Sequence, residues 1–155
     1  KKPFLIAEIG INHNGSIKLA KKLIDLASKY EFDAVKFQKR DNKNLLSKKQ
    51  YYAKHPLQHN SFGKTYGEHR EYLEFNTNTH KKIFQYCNKR KIKYSCSAWD
   101  VKSAKEISKI CENYVKIPSA TNLNFSVLDF LCSKYCIEIF LSKILVSFEN
   151  LSLIF

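Results

Sequence analysis

The chain has 155 residues, enough for one domain with a sizeable core, and its 44% hydrophobic content excludes a disordered tail. No stretch approaches the ~18 uncharged apolar residues of a membrane span, and the opening Lys1-Lys2-Pro3-Phe4 lacks signal-peptide features, so the expected address is cytoplasmic. The net charge is +13, but lysines greatly outnumber arginines and no zinc-finger, RRM or helix-turn-helix pattern is present, which favours a solvated lysine-rich surface over a nucleic-acid partner.

Residues 4–9 read as the first strand, with Glu8 set inside an apolar run that spills into Asn12-His13-Asn14-Gly15. Ser16 is placed to cap a helix reaching about Tyr30, with Ile17, Leu19, Ala20, Leu23, Ile24, Leu26 and Ala27 at helical spacing. Asp33 to Gln38 is the second strand. Residues 39–76 are polar and aromatic and read as a long loop with one short helix. Thr77 is the expected cap of a helix running to about Arg90, with Ile83, Phe84, Tyr86 and Cys87 inward. "IKYSCSAW" is the third strand, residues 101–112 a helix, "YVKIPS" the fourth strand ended by Pro118, residues 124–135 a helix, and "CIEIFLS" the fifth strand.

Alternating strands and helices imply a parallel sheet, open and doubly wound or closed as a barrel. The absence of a GxGxxG loop after the first strand counts against a dinucleotide fold. Five scattered cysteines (Cys87, Cys96, Cys111, Cys132, Cys136) form no CxxC pair and read as buried free thiols. His55 and His59 stand four apart without a third ligand, too little for a metal site.

Period-two alternation puts Ala34, Lys36 and Gln38 on one face of the second strand, opposite Val35 and Phe37. Ser95 and Ser97 likewise oppose Tyr94 and Cys96, Lys116 opposes Val115 and Ile117, and Glu8 opposes Ala7 and Ile9. Each strand thus turns an apolar face to the helices and a polar group the other way. Four strands converging on a lysine-bearing pocket suit a parallel barrel with its site at the C-terminal rim and an anionic ligand. The bland alternative is an ion pair between Glu8 and one lysine, with no ligand.

"IAEIGINHNG", "DAVKFQ", "YGEHREYLEF", "SAWD" and "VKIPSA", in this order, resemble the N-acetylneuraminate (sialic acid) synthase family, from about Phe4 to Asn124. The resemblance implies a (β/α)8 TIM barrel that condenses phosphoenolpyruvate with an open-chain N-acetylated amino sugar. A divalent metal, Mn2+ or Mg2+, would polarise the sugar aldehyde. By motif, Lys36 and Lys116 resemble the family's phosphoenolpyruvate-binding lysines, and Ser97 and Ser119 its hydroxyl donors. Glu8 matches a glutamate near the reacting centre, and Gln38 a sugar-contacting residue. Asn12, His13 and Asn14 would line the rim, and Tyr66 to Arg70 the sugar side. The family's Ser-Thr-Gly-Met-type turn, strands six to eight and metal-holding histidines have no counterpart here. The expectation is therefore one domain, residues 1–155, forming a truncated partial barrel of about five parallel strands, with an atypical tail over 137–155. Such a chain either retains phosphoenolpyruvate binding, pairs with itself or a completing chain, or is an inactive half-barrel remnant or interaction module.

Overall fold

Val35 and Phe37, Tyr94 and Cys96, Val115 and Ile117 are the fully or almost fully buried pairs of three neighbouring strands. The computed structural model describes residues 2–111, 114–134 and 138–141. Five strands, β1 (Ile6–Gly10), β2 (Ala34–Lys39), β3 (Lys93–Ala98), β4 (Tyr114–Ile117) and β5 (Glu138–Leu141), pair in the order β1-β2-β3-β4-β5. All four pairings are parallel. A sheet whose spatial order equals its chain order is the barrel progression; a doubly wound sheet reverses direction at a switch point. The choice left open by the alternation thus falls to the barrel, of which these are five strands.

Helices α1 (Ile17–Lys29), α2 (Asn42–Leu45), α3 (Lys48–Tyr52), α4 (Tyr66–Leu73), α5 (Thr77–Lys89), α6 (Val101–Ile107) and α7 (Phe125–Lys134) connect the strands. In α1, Ser16 accepts from the Leu19 amide, and Ala20, Ile24 and Ala27 form the buried stripe. The cap of α5 is Asn76, not Thr77; the Thr77 hydroxyl instead donates to Glu106 at 2.7 Å. Both α1 and α5 end in a Schellman turn. Glu31 and Lys91 each sit at φ 56°, while the amides of Phe32 and Ile92 reach back to Ala27 and Cys87. These turns feed the chain straight into β2 and β3.

Residues 39–76 hold three short helices rather than one, plus a 3-10 turn at Gln58–Asn60. Pieces of four or five residues show no helical period, which hid α2 and α3. They pack tightly nonetheless: a Cβ on Gly67 of α4 would lie 2.4 Å from the Tyr51 ring of α3. Cys87, Cys96 and Cys111 are buried free thiols, whereas Cys132 is free but exposed, against expectation. Cys136 and residues 142–155 lie outside the described residues. No helix among the described residues is long and apolar enough to cross a membrane.

Under the layer of α4 and α5 lies an aromatic cluster of His13, Phe37, Phe75, His80 and Tyr94. His80 Nδ1 meets the Tyr94 hydroxyl at 2.7 Å. Burial is the main force holding His80 to about 3 and His13 to about 4. Both values lie below the ordinary 6.5, so the unfolded chain binds protons that the folded chain refuses. Stability is complete above the unfolded value and falls as pH drops toward the folded ones, by on the order of 2 kcal/mol for each ring at about pH 5. The urea midpoint is therefore expected to fall between pH 7 and pH 5; identical midpoints would contradict neutral burial of these rings.

Candidate functional site

Parallel pairing in register stacks the inner-face residues in layers. Glu8 pairs with Lys36, and Lys36 with Ser95. One layer up, Gln38 pairs with Ser97, and Ser97 with Lys116. Lys36 and Lys116 therefore share one face. They also sense each other: Lys36 is lowered to about 8, chiefly by burial and next by the Lys116 ammonium. Burial lowers Lys116 as well. Ser97 is buried in register between Gln38 and Lys116, and the buried Ser95 hydroxyl, in register with Lys36, donates to the Tyr114 carbonyl at 3.1 Å.

Glu8 forms an ion pair with Lys36. The carboxylate is not buried, as its place in an apolar run suggests; its side chain is 49% exposed against 12% for Lys36. With only β2 beside it among the described strands, β1 leaves this end of the inner face open to water. The register slips by one residue between Glu8 and Gly10, at φ +54°, and this brings the chain over the Gln38 amide. A Cβ at Gly10 would stand 3.1 Å from Gln38 Nε2 and 3.5 Å from Glu8 Oε1. Glu8, Gln38, Lys36 and Lys116 thus belong to one constellation.

The loop after β1 departs from expectation. Asn12 and Asn14 are exposed, but His13 is 2% exposed and does not line the rim. Its ring stacks on Phe75 at 3.9 Å, and its Nδ1 accepts the Gly15 amide at 3.1 Å. That makes it a neutral imidazole bracing the loop. Ser119 stands half-buried in the 3-10 turn Ser119–Thr121, directly after β4. The Tyr66–Arg70 stretch is the first part of α4, capped by Thr65, rather than a solvated loop.

Two residues were missed. Arg40 and Trp99 continue the inner-face alternation one step beyond Gln38 and Ser97, and the guanidinium lies 4.4 Å from the indole centroid. The signal was present as the next term of the same period-two series.

Among the described residues no three His, Cys, Asp or Glu side chains come together as a metal would require. His55 and His69 are in ring contact at 4.3 Å, next to Tyr66, and His55 Nδ1 is engaged with Leu57.

The sequence profile of the NeuB family matches residues 23–150, running past Asn124 where the sequence motifs end. The N-acetylneuraminate-9-phosphate synthase of Drosophila melanogaster is 36% identical over 125 residues, covering 81% of this chain and 33% of that protein. The N,N'-diacetyllegionaminic acid synthase of Campylobacter jejuni is 34% identical over 127 residues, covering 81% of this chain and 38% of that protein. The crystal structure of an N-acetylneuraminic acid synthetase from Leptospira borgpetersenii, in complex with citrate, superposes with a TM-score of 0.75 at 23% identity, covering 95% of this chain and 46% of that one. That likeness shows the fold, a partial barrel of the sialic-acid-synthase type. The chain spans about a third of the length of the curated relatives it matches. It belongs to the NeuB family.

Gly10→Ala tests the close approach over Gln38. A methyl group at φ +54° carries a left-handed backbone cost and crowds the amide, so a loss of about 1–2 kcal/mol is expected by urea unfolding. An unchanged midpoint would contradict the tight packing of Gly10 on Gln38.

Proposed function

We propose that this member of the NeuB family binds phosphoenolpyruvate between Lys36 and Lys116, as the donor half of a synthase-type condensation with an N-acetylated amino sugar. The observation carrying this reading is that both lysines share the inner face, within electrostatic reach of each other, with Ser97 in register with Lys116 one layer above Lys36. Two ammonium groups crowded together are unfavourable alone and favourable around a dianion. Phosphoenolpyruvate offers a phosphate and a carboxylate to such a pair, and Ser97 and Ser119 are the matching hydroxyl donors.

The reaction implied by the family forms a bond between the methylene carbon of phosphoenolpyruvate and the sugar aldehyde carbon. The aldehyde oxygen takes up a proton. Water adds at the enol carbon, and phosphate departs with cleavage of its C–O bond, leaving a nonulosonic acid. Gln38, beside Gly10 and Glu8, is the sugar-side contact. Glu8 lies against Lys36 at the reacting centre, where a carboxylate is placed to orient the incoming groups. Asn12 is exposed just beyond it. A further strand beside β1, from this chain or another copy, would complete the wall.

The ion pair of Glu8 with Lys36 favours a second reading, an inactive half-barrel in which the carboxylate itself is the counter-ion of the lysine. Isothermal titration with phosphoenolpyruvate separates the two. Saturable binding is expected, weakened about tenfold or more by Lys36→Ala and by Lys116→Ala. Absence of heat, or variants that bind as tightly as the native chain, would support the inactive half-barrel.

The pH dependence has a definite sign. Lys36 is charged below about 8 and loses its proton above it, so affinity for phosphoenolpyruvate is expected to hold at lower pH and decline as pH rises through 8. In the Lys36→Ala variant this decline disappears. An affinity flat from pH 7 to pH 9.5 would contradict a role for the Lys36 ammonium.

A further inference from the structure

Beyond Phe37, β2 has no strand on its β1 side among the described residues, because the last pairing there is Gly10 with Phe37. On the other side the ladder with β3 runs on, and the Trp99 amide donates to the Lys39 carbonyl at 3.2 Å. Successive backbone groups of a strand point to opposite edges. Residues 39 and 41 therefore face β3, and residue 40 faces the side that β1 has left. An amide stranded there needs an acceptor.

Carboxylates from two distant segments supply the acceptors. The Arg40 amide donates to Glu74 Oε1 at 3.0 Å, and the Asp41 amide donates to Asp100 Oδ2 at 2.8 Å. The Arg40 carbonyl accepts from Lys39 Nζ at 3.3 Å. Both carboxylates are themselves fixed. Lys39 Nζ stands 3.5 Å from Glu74 and 3.7 Å from Glu106, and the Thr77 hydroxyl donates to Glu106 at 2.7 Å. Asp100 Oδ1 accepts the Ser103 amide and Oδ2 the Ser103 hydroxyl, both at 2.7 Å.

Simpler roles do not account for this arrangement. Capping α6 occupies only Oδ1 of Asp100, and the second oxygen goes to the Asp41 amide. Glu74 is a counter-ion of Lys39, yet its shorter contact is to the Arg40 amide. Burial pushes the Glu74 carboxyl up, so a charged group is held there against its own solvation. A strand that merely ended could give both amides to water.

The clamped segment carries Gln38, two residues before Arg40 on the inner face. Gln38 Oε1 is buried with no hydrogen-bond partner among the described residues, an acceptor placed for a ligand hydroxyl. Such a contact is only as well placed as its backbone, and a displacement of about 1 Å can cost about a hundredfold in an oriented site. Lys36 lies lower, where β1 and β3 both flank β2, so the donor side does not depend on the clamp.

We infer that Glu74 and Asp100 are positioning residues for the acceptor: by taking the Arg40 and Asp41 amides they fix the end of β2, and with it the Gln38 side chain, against the sugar. The inference rests on the proposed assignment of Gln38 to the amino sugar.

The full chain is titrated by calorimetry with N-acetylmannosamine and, separately, with phosphoenolpyruvate. The native chain is expected to bind each saturably. Glu74→Ala and Asp100→Asn are expected to weaken the sugar about tenfold or more and to leave phosphoenolpyruvate within about twofold. The asparagine keeps an oxygen for the Ser103 amide but turns its NH2 group on the Asp41 amide, so α6 stays capped while the clamp opens. Glu74→Gln keeps the one oxygen that the Arg40 amide uses and is expected to bind sugar within about twofold of the native chain. If Glu74→Ala fails to fold, Asp100→Asn carries the test. Unchanged sugar affinity in Asp100→Asn would overturn the inference, as would parallel loss of sugar and phosphoenolpyruvate, or a glutamine as damaging as an alanine at position 74. No sugar binding by the native chain would overturn it even where phosphoenolpyruvate binds. Absence of phosphoenolpyruvate binding with the sugar pattern intact would remove only the donor-site reading.

Discussion

Parallel strands paired in register are the constraint on which the rest of the molecule depends. Because side chains alternate and neighbouring strands advance together, residues two apart on one strand stack beside residues two apart on the next. Val35 and Phe37 meet Tyr94 and Cys96 on the helix side, and Lys36 and Gln38 meet Ser95 and Ser97 on the other. One slip of register would bury the lysine among aromatic rings and turn Phe37 to the open face. Among the described residues the one slip, between Glu8 and Gly10, comes at the end of β1, where it carries the chain over Gln38.

The two faces follow opposite electrostatic rules. On the helix side, polar groups are neutral or matched: His13 and His80 stay uncharged, and Lys39, which points outward at the end of β2, lies between Glu74 at 3.5 Å and Glu106 at 3.7 Å. On the inner face the cations are under-matched. Among the described residues, Lys36 has one exposed carboxylate, Lys116 has no ion pair, and the Arg40 guanidinium lies over an indole. A surface that accumulates desolvated cations this way is arranged for anions that arrive from solution.

Much of this was legible in the sequence, for a physical reason. The strands are short, apolar and strictly alternating, so Lys36, Gln38, Ser97 and Lys116 could be assigned to one face before any coordinates, and the Ser16 cap and the α1 stripe follow from local rules. Other features depend on tertiary context. His13 looks like a rim residue in the text, yet Phe75, more than sixty residues away, stacks on it and takes it into the core. Glu8 sits in an apolar run but is half exposed, because exposure depends on what stands beside β1. The helices of residues 39–76 are too short for periodicity, and the capping of α5 was decided by whether Asn76 or Thr77 had a better partner elsewhere; Glu106 claimed the threonine. Arg40 was readable by alternation and was passed over because it fell just beyond the apparent strand end.

The proposed donor site depends on two ammonium groups that share one face. The most direct measurement is a heteronuclear NMR titration of the Lys36 side chain, in the native chain and in Lys116→Ala. Lys36 is expected to titrate near 8 and to move upward when Lys116 is removed. A Lys36 that titrates like a surface lysine, near its ordinary value of 10.5, and ignores the loss of Lys116 would contradict it.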